Sequence, residues 1–400
     1  MNQKYMIIFL CILILCSLSC AKRGQTADIE DLPLLQPVLD ISPVPDPLRV
    51  RALEIASSME TSFLAAQVLI SGIDGRGSLP IYITELLKEI PAGGVMLFSY
   101  NLNTDKDSIS SMLDETSSLI KDITGISPFM AVDLEGGYVN RFHGNSDLAA
   151  AGSLPAAASY FELLFKISRD EILFKIETDS YNAGREVFEL GVNMNFAPVA
   201  EHLTSDNSYF LRNRSYGSDI FFTALAASAF RKGMEDAGVL CVVKHFPGSA
   251  GIDPHYAASV LDLKKTDLDT LVYPFSFLIE DGARAIMAAH TLTPAVDDKI
   301  ASFSSAVMET WLRNELGFDG IIIADDFIMA AAGDNKPQDA AVLSIAAGAD
   351  MILIWPAHLK ATHKAILDAV ENGSLSQERL ADAVSRIIYE KLRMGLVDER

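Results

Sequence analysis

The run Lys244-His245-Phe246-Pro247-Gly248 places two cations at the end of an apolar stretch, Val239-Leu240-Cys241-Val242-Val243, and a turn directly after them. Ser249-Ala250-Gly251 follows, and then Asp253-Pro254-His255, a histidine two positions after an aspartate. A carboxylate beside an imidazole favours the protonated ring, and a loop lets that ring reach a bound molecule. The pair could therefore donate and accept protons. Taken alone, a helix-capping aspartate beside an ordinary surface histidine fits Asp253 and His255 equally well. Farther along, Gly320-Ile321-Ile322-Ile323-Ala324 delivers Asp325-Asp326 in the same manner, carboxylates at the end of a buried run. Asp325, nearest the strand, is expected to face a cavity, while Asp326 caps a helix or supports its neighbour.

The elements that must position these groups are legible as apolar runs alternating with amphipathic helices from about residue 60 onward. Eight runs qualify as strands: Gln67–Ile70, Gly94–Phe98, Phe129–Asp133, Val192–Pro198, Val239–His245, Ala285–His290, Gly320–Asp325 and Asp350–Ile354. Helical patterns lie between them at Tyr181–Leu190, Ile220–Ala237 and Ser305–Leu316. Such alternation implies parallel βαβ units, and eight of them in about 340 residues fit a (β/α)8 TIM-type barrel. A doubly wound open sheet is the alternative, but no glycine-rich phosphate fingerprint follows the first strand. A barrel gathers its chemistry at the C-terminal ends of its strands. There the sequence puts Asp133 with Arg141, Glu201 with a later Arg212-Asn213-Arg214, Lys244 with His245, His290, and Asp325 with Asp326. Lys244, Arg141 and Arg214 are expected to help keep a cavity carboxylate, Asp325, ionised.

The chain has 400 residues, half of them hydrophobic, and a formal net charge of −21. That acidity argues against a nucleic-acid reader, which needs a basic footprint. The first residues differ from the rest. Lys4 precedes the unbroken apolar stretch Met6–Leu15 and then Ser17-Leu18-Ser19-Cys20, the layout of a secretory signal and too short for a comfortable membrane span. The segment resembles a bacterial lipoprotein signal, with Ser17 where leucine is usual. The resemblance implies cleavage after residue 19 and a lipid on Cys20. Residues 20–50, rich in Pro and Asp, read as a tether, and 51–400 as one catalytic domain. Of the four cysteines only Cys241 would remain as a thiol, buried in its strand.

The ordered motifs resemble glycoside hydrolase family 3 over about residues 60 to 398. Asp133-Leu134-Glu135-Gly136-Gly137 with Arg141, Asn195-Phe196-Ala197-Pro198-Val199, Arg214-Ser215-Tyr216-Gly217, Lys244-His245-Phe246-Pro247-Gly248 and Leu316-Gly317-Phe318-Asp319-Gly320 leading to Asp325 carry the likeness. Asp253-Pro254-His255 is similar to the Asp-x-His of the β-N-acetylglucosaminidase branch. By resemblance, Asp325 is the nucleophile, His255 the acid/base and Asp253 its orienting partner. Asp133, Arg141, Arg214, Lys244 and His245 then correspond to sugar-binding positions. The resemblance implies a retaining enzyme acting on terminal β-linked N-acetylglucosamine, with cell-wall fragments as the expected substrate. No metal or organic cofactor is implied, and the expected membrane contact is the N-terminal lipid.

Five positions depart from the family pattern. Ala324 stands where Ser or Thr is usual, Ser249 where a second histidine is common, and Pro254 where Ser separates Asp from His. Tyr138 takes the place of a frequent Arg, and Glu201 that of an Asp. None removes a catalytic group, so activity is expected. Three other readings stay open at this stage: a relative with another sugar specificity such as a β-glucosidase, a sugar-binding protein without turnover, and a metal-dependent hydrolase using His245, His290 and Asp325.

Overall fold

Runs that are apolar on both faces are stable as strands only between a packed interior and a coat of helices, and all eight expected runs are found there. In the computed structural model, which describes residues 46–251, 256–257, 259–327 and 335–398, they form β1 (Leu69–Gly72), β2 (Gly94–Leu97), β3 (Phe129–Val132), β4 (Met194–Asn195), β5 (Leu240–Phe246), β6 (Ala285–Ala288), β7 (Ile321–Ala324) and β8 (Met351–Ile354). Each pairs in parallel with the next, and β8 returns to β1, so the sheet closes into the expected (β/α)8 barrel. Strand ends differ from the sequence expectation by a few residues. β4 is the shortest, because the Ala197 N–H turns back to the Asn195 carbonyl at 2.9 Å instead of joining the ladder.

The helix expected over Tyr181–Leu190 is much longer, Arg169–Glu189, because its first turns carry a capping box rather than an apolar stripe. Ser168 and Glu171 each accept from the other's backbone N–H. The segment expected over Ser305–Leu316 is helical at Ala306–Glu315 with π-type pairing. At the start of the described chain, helix Pro47–Ser58 begins before the boundary drawn at residue 51. It buries Ala52 and Ala56, and the Tyr389 hydroxyl of the closing helix Gln377–Arg393 donates to Asp46 at 2.7 Å. Residues 1–45, including Cys20 and the apolar leader, lie outside the described residues.

A buried carboxylate ties the last two strands to the outer helices. Asp350 is fully buried and accepts the Ile322 N–H at 2.8 Å, together with Arg313, Arg379 at 3.2 Å and Arg386 at 3.3 Å. Burying a charge is tolerable only with such saturation. The anchor matters for function because β7 and β8 deliver Asp325 and Trp355 to the rim. Cys241 is buried as expected, and burial pushes its thiol well above the ordinary range. Among the described residues no helix is long and apolar enough to cross a membrane.

Candidate active site

A cavity of about 530 Å3 opens at the C-terminal ends of the strands. It is lined by Asp133, Arg141, Arg214, Lys244, His245 and Asp325, candidates from four separate segments of the sequence. Asp253 and His255 lie outside the described residues, so the structure brings together six of the eight side chains expected in the site. Met96, Phe196, Met287 and Leu353 add apolar lining, and Phe98, Phe210 and Trp355 add aromatic faces. With Glu135, Asp326 and Val139 the lining divides evenly between eight ionisable and eight apolar or aromatic side chains, so convergent polar groups share a concave wall with apolar faces, as in small-molecule sites.

Local geometry explains how each polar group arrives. Beyond β3 the chain folds back as a short hairpin, Leu134–Gly136 against Val139–Asn140. Its turn requires glycine: Gly136 and Gly137 have φ of 93° and 58°, and a Cβ on Gly136 would meet the Pro155 carbonyl oxygen at 2.1 Å. Asn195 roots the hairpin by accepting the Leu134 N–H and donating to its carbonyl, both at 2.9 Å. The fold-back returns Arg141 to Asp133, where Nη2 sits 2.6 Å from Oδ2. Arg214, on a 3-10 turn after β4, grips Glu135 with two bonds of 2.8 and 2.9 Å beside the face of Phe210.

Lys244 is the centre of this charge network. Its Nζ lies 2.9 Å from Asp133 and 2.6 Å from Glu135, and the side chain is almost fully buried. Burial alone would raise the Asp133 carboxyl, but Lys244 and Arg141 outweigh it and hold it far below the usual carboxylate range. Burial opposes ionisation of Glu135 too; Arg214 and Lys244 prevail and bring it to about 2. Glu135 was part of a recognised motif without an assigned job, and its pairing is what the sequence could not show. The cations expected to support Asp325 make their ion pairs with other carboxylates. Lys244, Arg141 and Arg214 are committed to Asp133 and Glu135, and among the described residues Asp325 forms no ion pair.

His245 is held by Glu201, whose Oε1 is 2.7 Å from Nδ1. The other oxygen, Oε2, accepts both the N–H and the hydroxyl of Ser249, at 2.7 and 2.6 Å. Glu201 and Ser249 are two of the departures noted above, and here a longer carboxylate meets a shorter partner. Burial would raise the Glu201 carboxyl, yet the bonds from His245 and Ser249 keep it lowered. The loop root is also closed by Ser259, which accepts the Ala250 N–H and donates to the Ala250 carbonyl. Ser249 is thus tied to Glu201 and Ala250 to Ser259, while residues 252–255 lie outside the described residues.

Asp325 extends β7, with its N–H on the Ala288 carbonyl of β6 at 3.2 Å. Its Oδ1 accepts the Asp326 N–H at 2.8 Å. Trp355 was missed by the sequence reading, although it directly follows the run Asp350–Ile354 and asking what closes the eighth strand would have found it. Among the described residues no cluster of three or more His, Cys, Asp or Glu side chains is arranged to hold a metal ion. His245 and His290 instead face Glu201, Ser302 and the Asp326 carbonyl.

A closed parallel barrel with a charge-fixed cavity on its C-terminal rim is the arrangement in which barrel enzymes hold small polar substrates. The chain belongs to glycosyl hydrolase family 3: residues 78–389 match the family's N-terminal domain, and it is a glycoside hydrolase. A β-hexosaminidase of Methylococcus capsulatus is 33% identical over 73% of this chain and 83% of its own length. One of Hydrogenovibrio crunogenus is 34% identical over 74% and 81%. Among solved structures, a family 3 β-N-acetylglucosaminidase from Paenibacillus sp. superposes with a TM-score of 0.75 at 29% identity, covering 86% of this chain and 64% of that one.

Proposed function

We propose that the chain is a retaining exo-β-N-acetylglucosaminidase that removes terminal β-linked N-acetylglucosamine from cell-wall fragments. The observation that carries the assignment of roles is the division of carboxylates in the cavity. Asp133 and Glu135 are each bound by two cations, which suits them to accept sugar hydroxyls but makes them poor nucleophiles. Asp325 has no such partner among the described residues, directly follows β7 and lines the cavity. The names of the relatives support the sugar.

In this reading an oxygen of Asp325 attacks the anomeric carbon as the bond to the leaving oxygen breaks. His255, protonated and oriented by Asp253, gives its proton to that oxygen. The neutral ring then takes a proton from water, which attacks the same carbon and releases Asp325. Histidine can serve both steps because its pKa lies near neutrality, and transfer of this kind contributes ~10²–10⁴-fold. Lys244, Arg141, Arg214, His245 and Asp133 hold the sugar.

Purified protein is expected to release chromophore from an aryl β-N-acetylglucosaminide, to leave the matching β-glucoside intact, and to keep its rate in chelator. Release from neither substrate would sink the assignment, and preference for the glucoside would replace the sugar. The reading also includes export and acylation of Cys20, supported by the apolar leader Met6–Leu15. Labelled palmitate is expected in the membrane fraction for the native chain and not for Cys20→Ser. Equal labelling of both would remove the lipid from the account.

A further inference from the structure

Trp355 follows β8 immediately and precedes Pro356, the first residue of helix Pro356–Glu371, so its backbone is fixed from both sides. Its ring lies flat on Phe98, with centroids 4.7 Å apart and planes 11° from parallel, and both rings line the cavity. The indole N–H donates to Oδ2 of Asp326 at 2.8 Å. From the other side, Nε2 of the buried His290 is 2.9 Å from the Asp326 carbonyl oxygen. A carbonyl offers no proton, so Nε2 donates to it, while Nδ1 lies 2.8 Å from the Ser302 hydroxyl. Groups from the ends of β6 and β8 thus hold Asp326, whose own N–H holds one oxygen of Asp325.

We propose that Trp355 is a positioning residue, whose indole N–H acts through Asp326 to fix the orientation of the Asp325 carboxylate. The inference rests on the reading of Asp325 as nucleophile. Displacement of an attacking atom by about 1 Å can cost ~10²-fold in rate, which is the scale such a clamp controls. The stack on Phe98 fixes the plane of the indole, and the bond to Asp326 lies at the edge of that plane. Phenylalanine at 355 would keep that stack and the cavity wall but lose the donor.

The full chain carrying Trp355→Phe is expected to lose about 10-fold in kcat on the aryl N-acetylglucosaminide, with KM within about twofold. In an Asp326→Ala background the same substitution is expected to cost nothing more, since the two residues act in series. Unchanged kcat, a loss confined to KM, or additive losses in the double variant would each overturn the proposal. If Trp355→Phe does not fold, the native protein still decides. It has two tryptophans, and the indole nitrogen of the other, Trp311, has no hydrogen-bond partner among the described residues. The Trp355 indole proton is expected downfield of that of Trp311 and to move when Asp326 is replaced by alanine. An indole resonance indifferent to Asp326→Ala contradicts the clamp. Full activity in Asp325→Ala would instead remove the nucleophile reading on which it stands.

Discussion

Asp325→Ala is expected to lower kcat by about 10⁴-fold or more while leaving the fold intact, because it removes a cavity carboxylate that forms no ion pair among the described residues and ends β7 at the rim. Its backbone stays bonded to β6 whatever the side chain is, and the side chain is only part-buried at the rim, so the bond truncation removes, from the part-buried Asp326 N–H, can be replaced by water. A steady-state assay on the aryl N-acetylglucosaminide reads the rate, and circular dichroism the fold. External azide is expected to restore part of the turnover by attacking the anomeric carbon in the space vacated, which a binding or folding defect would not permit. A variant with more than about one-tenth of native kcat would contradict the role.

Lys244→Met is expected to damage stability and activity together. Removing the ammonium leaves Asp133 and Glu135 buried with one cation each instead of two, and breaking a buried pair of this kind typically costs about 3–5 kcal/mol. The pH dependence has a definite sign. The folded Glu135 carboxyl is held to about 2 against an ordinary value of 4.5, so its contribution is complete above about pH 4.5 and is lost as pH falls toward 2. Without Lys244 both folded carboxyls rise, and acid unfolding is expected to begin at a higher pH. Urea titration near neutrality and an acid titration followed by circular dichroism measure the two effects. The kcat/KM is expected to fall by about 10²-fold, through loss of a charged contact to the sugar and misplacement of Asp133. Native stability in Lys244→Met would show that the network in the cavity is not holding the rim together.

The barrel was legible because its inner strands are continuously apolar and its helices are not, a contrast written locally in the chain. The site was legible in part for a related reason: charged residues that directly end buried runs, such as Asp133, Lys244 and Asp325, have few places to go but the rim. Which charge meets which was not legible. Lys244 and Asp133 are 111 positions apart, and their pairing is decided by the closure of the barrel and by the Gly136-Gly137 turn that brings Arg141 back over β3. The exchange of partners that freed Asp325 from the cations follows from Glu135, whose neighbours in sequence are apolar and glycine and give no hint of Arg214. Trp355 escaped for the opposite reason. An aromatic residue after a buried strand is ordinary core in most proteins, and it is the place of Trp355 in the cavity wall, with its indole N–H on Asp326, that marks it as part of the site.

The central claim is that Asp325 forms a covalent bond to the sugar, and trapping that bond tests it most directly. The protein incubated with a 5-fluoro β-N-acetylglucosaminyl fluoride, which slows breakdown of a glycosyl-enzyme more than its formation, should gain the mass of one fluorinated sugar. Fragmentation of the digest should place that mass on Asp325. Absence of an adduct while the reagent is turned over, or an adduct on Asp326, Asp133 or Glu135, would contradict the account.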